Sequence, residues 1–329
     1  MLSIFTKSQM YITAASTISH QPTFKNAGFS KLIEPLKIDS ELISPNFKEY
    51  IDAGLLRRMS KILRMSVTAA KDCLQQAEVD QPGAIIVGTG LGCLQDTEKF
   101  LNNFLTIEGL LPPTSFIQST HNTIAGQISL SIGNHGYNMT HTQNTLSFEH
   151  ALIDAGLLLG EGNDNIIVGA ADEYIEILST IGEHLHVKPE VNLTSGASFF
   201  IVSKEQSGKS IAKIKDIETV GLVQDIQESI ENFLINNTLK ESEIDLVLYS
   251  DFNDLKDSGQ VSDVFKRFEN SSELINYTNI IGIYPSNSAF ALHYAVDRIR
   301  DNNKIKSVLI INGLNKINLG LILIESIEA

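Results

Sequence analysis

The stretch Gly136–Ala155, GYNMTHTQNTLSFEHALIDA, decides how the rest of the chain is read. Tyr137 to His141 has the composition of a short strand, and Thr142, Gln143 and Asn144 are polar residues suited to a sharp turn. Beyond them Leu146, Ala151, Leu152, Ala155 and Leu158 recur on one helical face. Strand, tight turn and buried helix together form an elbow that lifts a residue to a helix N-terminus, where free N–H groups and the helix dipole favour an anion. The residue read at the apex is Thr145, an alcohol where such chemistry calls for a stronger nucleophile.

Working outward, the same order of elements occurs twice. After the elbow helix come a strand at Asn165–Gly169 and another at Ala197–Ser203. In the second half a helix at Ala289–Arg300 is followed by strands at Ser307–Asn312 and Leu319–Glu325. Upstream of each set lies a short continuous apolar run, Ala84–Gly88 and Asp245–Tyr249, of the kind found in parallel strands covered on both faces. Two such α/β units stack their buried helices between two sheets, which predicts layers α/β/α/β/α in one compact body, the first unit over residues 1–205 and a shortened second one over 206–329.

The composition fits a folded body and narrows the partners. The chain has 329 residues, 43% hydrophobic and 19% charged, with 25 basic against 39 acidic side chains and a net charge of −14. That balance disfavours nucleic acid and anionic membrane surfaces. Cys73 and Cys93 stand alone in apolar surroundings, as expected of buried residues in a reducing compartment. No apolar run reaches the roughly 18 residues needed to span a bilayer, so a cytoplasmic protein is expected.

The residues around this skeleton resemble the β-ketoacyl synthases of the thiolase superfamily. Tyr50 to Ala70, with Asp52, Arg57, Arg58, Met59, Ser60 and Arg64, is similar to their first long helix, and Ala84 to Gly92 to their strand and glycine loop. Pro113 to Gly133, with Phe116, Asn122, Ala125 and Gly126, resembles the stretch that follows. Gly136 to Ala155 resembles their nucleophile elbow without a gap, and Ile167 to Glu173 their strand ending in glycine, alanine and acid. The likeness holds from about Tyr50 to Glu173, and beyond it only the order of elements and a few glycines persist.

This resemblance implies the thiolase-like duplicated fold and acyl chemistry on carrier thioesters. The family's reaction needs a cysteine thiolate and two histidines, because a thiolate attacks a thioester readily and an enolate oxygen must meet placed donors. At the family positions this sequence has Thr145 for the cysteine, and Ser250 and Ile283 for the histidines. Thr278 stands for a lysine, and Leu314 for the phenylalanine of the closing turn Gly313–Asn318. No catalytic residue is therefore expected, and an enzyme, if there is one, is an acyltransferase of the ketosynthase kind.

The role expected for Thr145 is to cap the elbow helix through its hydroxyl, since His141 and His150 lie on the strand and one turn into the helix. A one-step alternative places Gln143 at the apex, because decarboxylating relatives carry glutamine there, at the cost of a two-residue shift. Gln143, Thr145, Phe148 and Leu314 are the expected walls of an acyl or ligand pocket. The glycine run Gly88, Gly90, Gly92 lacks dinucleotide-binding spacing and reads as a turn before a helix.

His184 and His186 could share a metal, but no carboxylate or cysteine completes a site, and the spacings of His121, His135, His141 and His150 match no metal motif, so no metal and no cofactor is expected. Arg57, Arg58, Lys61 and Arg64 fall at i, i+1, i+4 and i+7. Two readings of this basic stripe stay open: a solvated helix face, or a dock for an acidic acyl carrier protein, as the resemblance implies. Thr120 to Ser131, with Ile124, Ile128 and Ile132 at helical spacing, lies where family members pair. The implied function is an inactive, chain-length-factor-like subunit. It would pair with an active ketosynthase in polyketide, aryl-polyene or fatty-acid synthesis and shape its acyl tunnel. A divergent acyltransferase or malonyl decarboxylase, and a homodimeric binder of acyl chains or small ligands, are the alternatives.

Overall fold

Among the described residues the apolar runs become ten strands. A computed structural model describes residues 9–37, 39–184, 192–251, 264–314 and 317–327. The strands are β1 Met10–Ile18, β2 Ala84–Gly88, β3 Tyr137–His141, β4 Ile166–Asp172, β5 Gly196–Ser203, β6 Ala212–Gly221, β7 Leu246–Tyr249, β8 Glu273–Asn276, β9 Ser307–Asn312 and β10 Asn318–Ser326. The helices are α1 Ala53–Leu56, α2 Lys61–Ala77, α3 Leu94–Thr106, α4 Pro113–Gln118, α5 Thr123–Ile132, α6 Ser147–Gly160, α7 Glu176–His184, α8 Ile226–Asn236, α9 Thr278–Ile281 and α10 Ser288–Asp301.

The strand order β3-β2-β4-β5-β1-β6-β10-β9-β7-β8 shows the duplication directly. In the first half β2 runs parallel to β3 and β4, while β5 is antiparallel to β4 and β1. The second half mirrors it, with β7 parallel to β8 and β9, and β10 antiparallel to β9 and β6. One feature departs from two separate sheets: β1 and β6 pair over Met10–Ile12 and Ala212–Ile214, so hydrogen bonding runs unbroken from one half to the other.

Three apolar clusters correspond to the layers. The central one surrounds α6 and α10, which touch each other, and draws side chains from both halves of the sheet. Helix α6 packs on β2 and β4 and also on β6 and β10, while α10 packs on β5 and β1 and also on β9, so both lie between the two halves. Their residues show why: α10 is buried at eleven named positions from Ser288 to Ile299, on every face, as a helix enclosed by sheet on two sides must be. The other two clusters lie on the outer faces, one under α2 and α5, the other under α8. The layers are thus α/β/α/β/α.

Close approach fixes the glycines at the centre. A Cβ on Gly88 would stand 2.5 Å from the Ser147 carbonyl oxygen, and one on Gly90 2.3 Å from Pro285. The glycine run is therefore the place where β2 passes directly under the start of α6 and against a loop of the second half. Among the described residues, no helix is long and apolar enough to cross a membrane.

One buried group in the central layer sets an acid limit on stability. His293 on α10 contacts the Thr17 hydroxyl at 2.8 Å and meets the Phe29 ring edge-on, and burial lowers its pKa from 6.5 to about 4. The unfolded chain takes up this proton first as pH falls. Stability present above pH 6.5 should therefore be lost through the window down to about 4, by about 3 kcal/mol. Urea titrations at stepped pH should show this slope, and His293→Gln should flatten it.

Candidate functional site

The elbow forms as the sequence indicates but aims its side chains differently. Strand β3 ends at His141, whose carbonyl oxygen accepts from Thr89 N at 3.0 Å. The chain turns at Asn144, which holds the left-handed φ of 55°, makes one 3-10 turn over Asn144–Leu146 and enters α6 at Ser147. Ser147 Oγ donates to the Thr89 carbonyl at 3.0 Å, tying the elbow to the glycine loop.

Thr145 points inward. It is 7% exposed and its hydroxyl has no hydrogen-bond partner among the described residues. The expected cap is absent: Leu146 occupies the N-cap of α6 and no side chain bonds there. Thr142, Gln143 and Asn144 are the exposed residues of the turn, so Gln143 is one of three side chains presented there. Phe148, expected to wall a pocket, is fully buried against Phe200, with ring centroids 5.8 Å apart.

The second half closes the elbow from below. Asn312, the last residue of β9, donates from Nδ2 to the Thr145 carbonyl and to Glu149 Oε1, each at 2.8 Å. Gly313 N donates to Ser250 Oγ at 2.9 Å, and Leu314 N lies 3.4 Å from Asn312 Oδ1. Thr145, Ser250 and Leu314 therefore converge on Asn312–Gly313. The rest of the closing turn, residues 315–316, lies outside the described residues. Ile283 is half-buried, in a single bridge with Leu193 and following Gly282 at φ 79°. Ser250 is fully buried and engaged by Gly313.

Two acids organise this region, Asp172, which the sequence reading met only as the acid closing a family-like strand, and Glu149, which it passed over. Glu149 is fully buried in the first turn of α6; burial raises its carboxyl and the Asn312 amide opposes that rise. Asp172, at the end of β4, accepts from Thr89 Oγ1, Gly90 N, Leu91 N, Ser286 N and Ser286 Oγ at 2.6 to 3.2 Å. Burial pushes the Asp172 carboxyl up, while these five donors favour its charged form. The available signal was an acid closing an otherwise apolar strand, IIVGAAD, and a charge on the apolar stripe of α6.

The remaining reactive groups are occupied elsewhere. His141 Nε2 meets Asp154 Oδ2 at 2.9 Å, the Tyr137 hydroxyl donates to the same carboxylate, and His150 stacks 6.5 Å from His141. His184 Nδ1 lies on the Thr180 carbonyl, and His186 falls outside the described residues. Cys73 donates to the Phe199 carbonyl, and burial raises both its thiol and that of Cys93, which keeps them protonated. Among the described residues, no three His, Cys, Asp or Glu side chains are placed to hold a metal ion.

The basic residues do not form one stripe. Helix α1 ends at Leu56 and α2 begins at Lys61, so Arg57 and Arg58 lie in the link, exposed, rather than on the face of a single helix. Lys61 turns inward to the Tyr174 carbonyl at 3.0 Å, and Arg64 is half-buried. Arg57, Arg58 and Lys99 instead border an open cleft of about 470 Å³ between this link and α3.

Two substitutions separate these roles. Thr145→Val should leave stability within about 1 kcal/mol of the parent in urea unfolding, because it removes a hydroxyl that has no partner. Asp172→Asn should cost about 3 kcal/mol or more in the same measurement, since it sets an amide against five donors.

Comparisons with known proteins agree with this geometry. Residues 43–193 match the family of the β-ketoacyl synthase N-terminal domain. No curated protein matches the chain. Among solved structures, the ishigamide ketosynthase/chain length factor superposes with a TM-score of 0.83 at 14% identity, covering 97% of this chain and 100% of that one. A β-ketoacyl synthase from Burkholderia phymatum STM815 gives 0.75 at 12% identity, covering 98% and 100%. The ketosynthase ApeO in complex with its chain length factor ApeC from Xenorhabdus doucetiae gives 0.73 at 12%, covering 99% and 100%. Residues 43–193 thus match the β-ketoacyl synthase N-terminal domain, and the thiolase-like ketosynthase fold is matched over nearly the whole chain.

Proposed function

We propose that this chain is a non-catalytic ketosynthase-like subunit that pairs with an active β-ketoacyl synthase in polyketide, aryl-polyene or fatty-acid biosynthesis and shapes its acyl tunnel. One observation carries the reading: the family elbow is kept, yet Thr145 is turned into the interior, both thiols are buried away from it, and His141 is engaged by Asp154. A hydroxyl without a base does not take an acyl group from a thioester.

Two surface features support a partner. β3 is an edge strand that pairs on its outer side with no other described strand, and Tyr137, Asn138 and Met139 on it are exposed. It carries no lysine, proline or bulge of the kind that blunts a free edge. Nearby, α3 and α4 expose Leu101, Phe104, Leu105, Phe116 and Ile117. The exposed Arg57 and Arg58 beside the cleft suit an acidic carrier protein, and a cytoplasmic setting goes with all these partners.

Gln143, exposed on the turn, supports a second reading, decarboxylation of a malonyl thioester, in which its amide would stabilise an enolate oxygen.

Co-expression with a cysteine-bearing ketosynthase should yield a 1:1 heterodimer by native mass spectrometry. Incubation with acyl and malonyl carrier thioesters should leave Thr145 unacylated and release no carbon dioxide. A stable homodimer that ignores every such synthase overturns the partner reading, and carbon dioxide release lost in Gln143→Ala establishes the second.

A further inference from the structure

A second hollow, of about 410 Å³, lies at the far end of β9 from the elbow. Strand register places its floor. Tyr11 of β1 stands opposite Lys213 of β6, Lys213 opposite Glu325 of β10, and Glu325 opposite Ser307 of β9, so the four form one row across adjacent strands. The residues next to them in the chain, Met10, Ile12, Ala212, Ile214, Ile324 and Val308, belong to the central apolar cluster. Side chains alternate along a strand, so the row lies on the outer face of the sheet. That face is packed under α2 and α5 in the first half and under α8 in the second, but β6, at the join of the halves, gives no buried residue to either outer cluster. Lys213 and Lys215 stand there instead, and the join is left polar.

The charges in the hollow do not cancel. Lys215 pairs with Glu325, which neutralises the carboxylate of the row. Lys213 and Lys306 also line the hollow, and their ammonium groups meet no partner among the described residues. The backbone beneath them is fixed. Lys306 N and Ser307 N donate to Asp245 Oδ2 at 2.6 and 3.0 Å, and the Lys306 carbonyl accepts from Ser326 N at 2.8 Å. Ser307 is only 8% exposed, yet it lines the hollow and its hydroxyl bonds to no other described residue. A nearly buried hydroxyl with two unpaired ammonium groups is a donor set for an oxyanion. With a net charge of −14 the chain repels anions from most of its surface, so this positive hollow is where a small one is held.

We propose that the hollow is a binding site for a phosphate group, free or carried on a small organic molecule, held by the Lys213 and Lys306 ammonium groups and the Ser307 hydroxyl. A phosphate monoester carries close to two negative charges at neutral pH, which matches the two free ammonium groups. The volume lies in the lower part of the range that small-molecule sites span, enough for a phosphate with a modest organic group behind it.

Phosphorus NMR of inorganic phosphate and of phenyl phosphate, each titrated with the full chain at low ionic strength, tests this. Both signals should broaden; equal affinities identify a site for the anion alone, and a tighter phenyl phosphate identifies a site for an organic phosphate. Lys213→Gln and Lys306→Gln should each weaken binding about tenfold. Glu325→Gln should tighten it, since it removes the carboxylate from the row and frees Lys215. Added salt should weaken it, because the lysines face solvent. Joint substitution Arg57→Gln and Arg58→Gln, at the cleft beside α3, should change nothing. No broadening with the parent chain, broadening unchanged in both lysine variants, or broadening lost in the arginine variant overturns the proposal. Should a lysine variant not fold, Glu325→Gln decides, an unaltered affinity counting against the site.

Discussion

The Asp172 carboxylate is the constraint on which the rest of the structure depends. It sits at the end of a strand buried along its whole length, where an unpaired charge is not tolerated, and it is satisfied only by bringing two distant segments to it. Thr89, Gly90 and Leu91 come from the first half, and Ser286 from the second. Satisfying one carboxylate thus sets the glycine loop under the elbow and draws the loop before α10 against it. Gly90 allows this because any side chain there would overlap Pro285.

From that junction the layers follow. The segment fixed by Ser286 leads directly into α10, and the loop fixed by Thr89 holds Ser147 at the start of α6, so the two central helices are positioned by the same few atoms. Asn312 completes the closure by holding the Thr145 carbonyl and Glu149. The elbow in this protein is a structural junction between halves. Its polar groups are turned toward holding the body together, and the turn offers solvent only amide and hydroxyl side chains. The residue after that strand is Glu173, so two successive acids serve different places: one locks the interior, and the other accepts from Gln95 N at the start of α3.

The elbow and the doubled order of strands and helices were legible because buried strands and helices write continuous apolar runs and 3.6-residue stripes into the chain. Ala84–Gly88, Tyr137–His141 and Ser307–Asn312 are strands at the very residues that periodicity indicates. The break between α1 and α2 was not legible, since Arg57 to Ser60 continue a helical pattern. It was the inward turn of Lys61 to Tyr174 that showed the basic residues do not share a face. The burial of Phe148 and Thr145 was not legible either, because it follows from the step from strand to 3-10 turn to helix, which spacing alone does not encode.

By itself the sequence determined the α/β class, the duplication, the elbow and the want of a cysteine at the residues read as its apex, because these depend on local pattern and residue identity. Only the tertiary structure decided that Gln143 rather than Thr145 faces outward, that the two half-sheets join through β1 and β6, and which buried acid meets which donors. Those outcomes depend on contacts between residues more than a hundred positions apart, such as Asp172 with Ser286 and Thr145 with Asn312. Burial and hydrogen-bond satisfaction choose among such pairings only once the whole chain has packed.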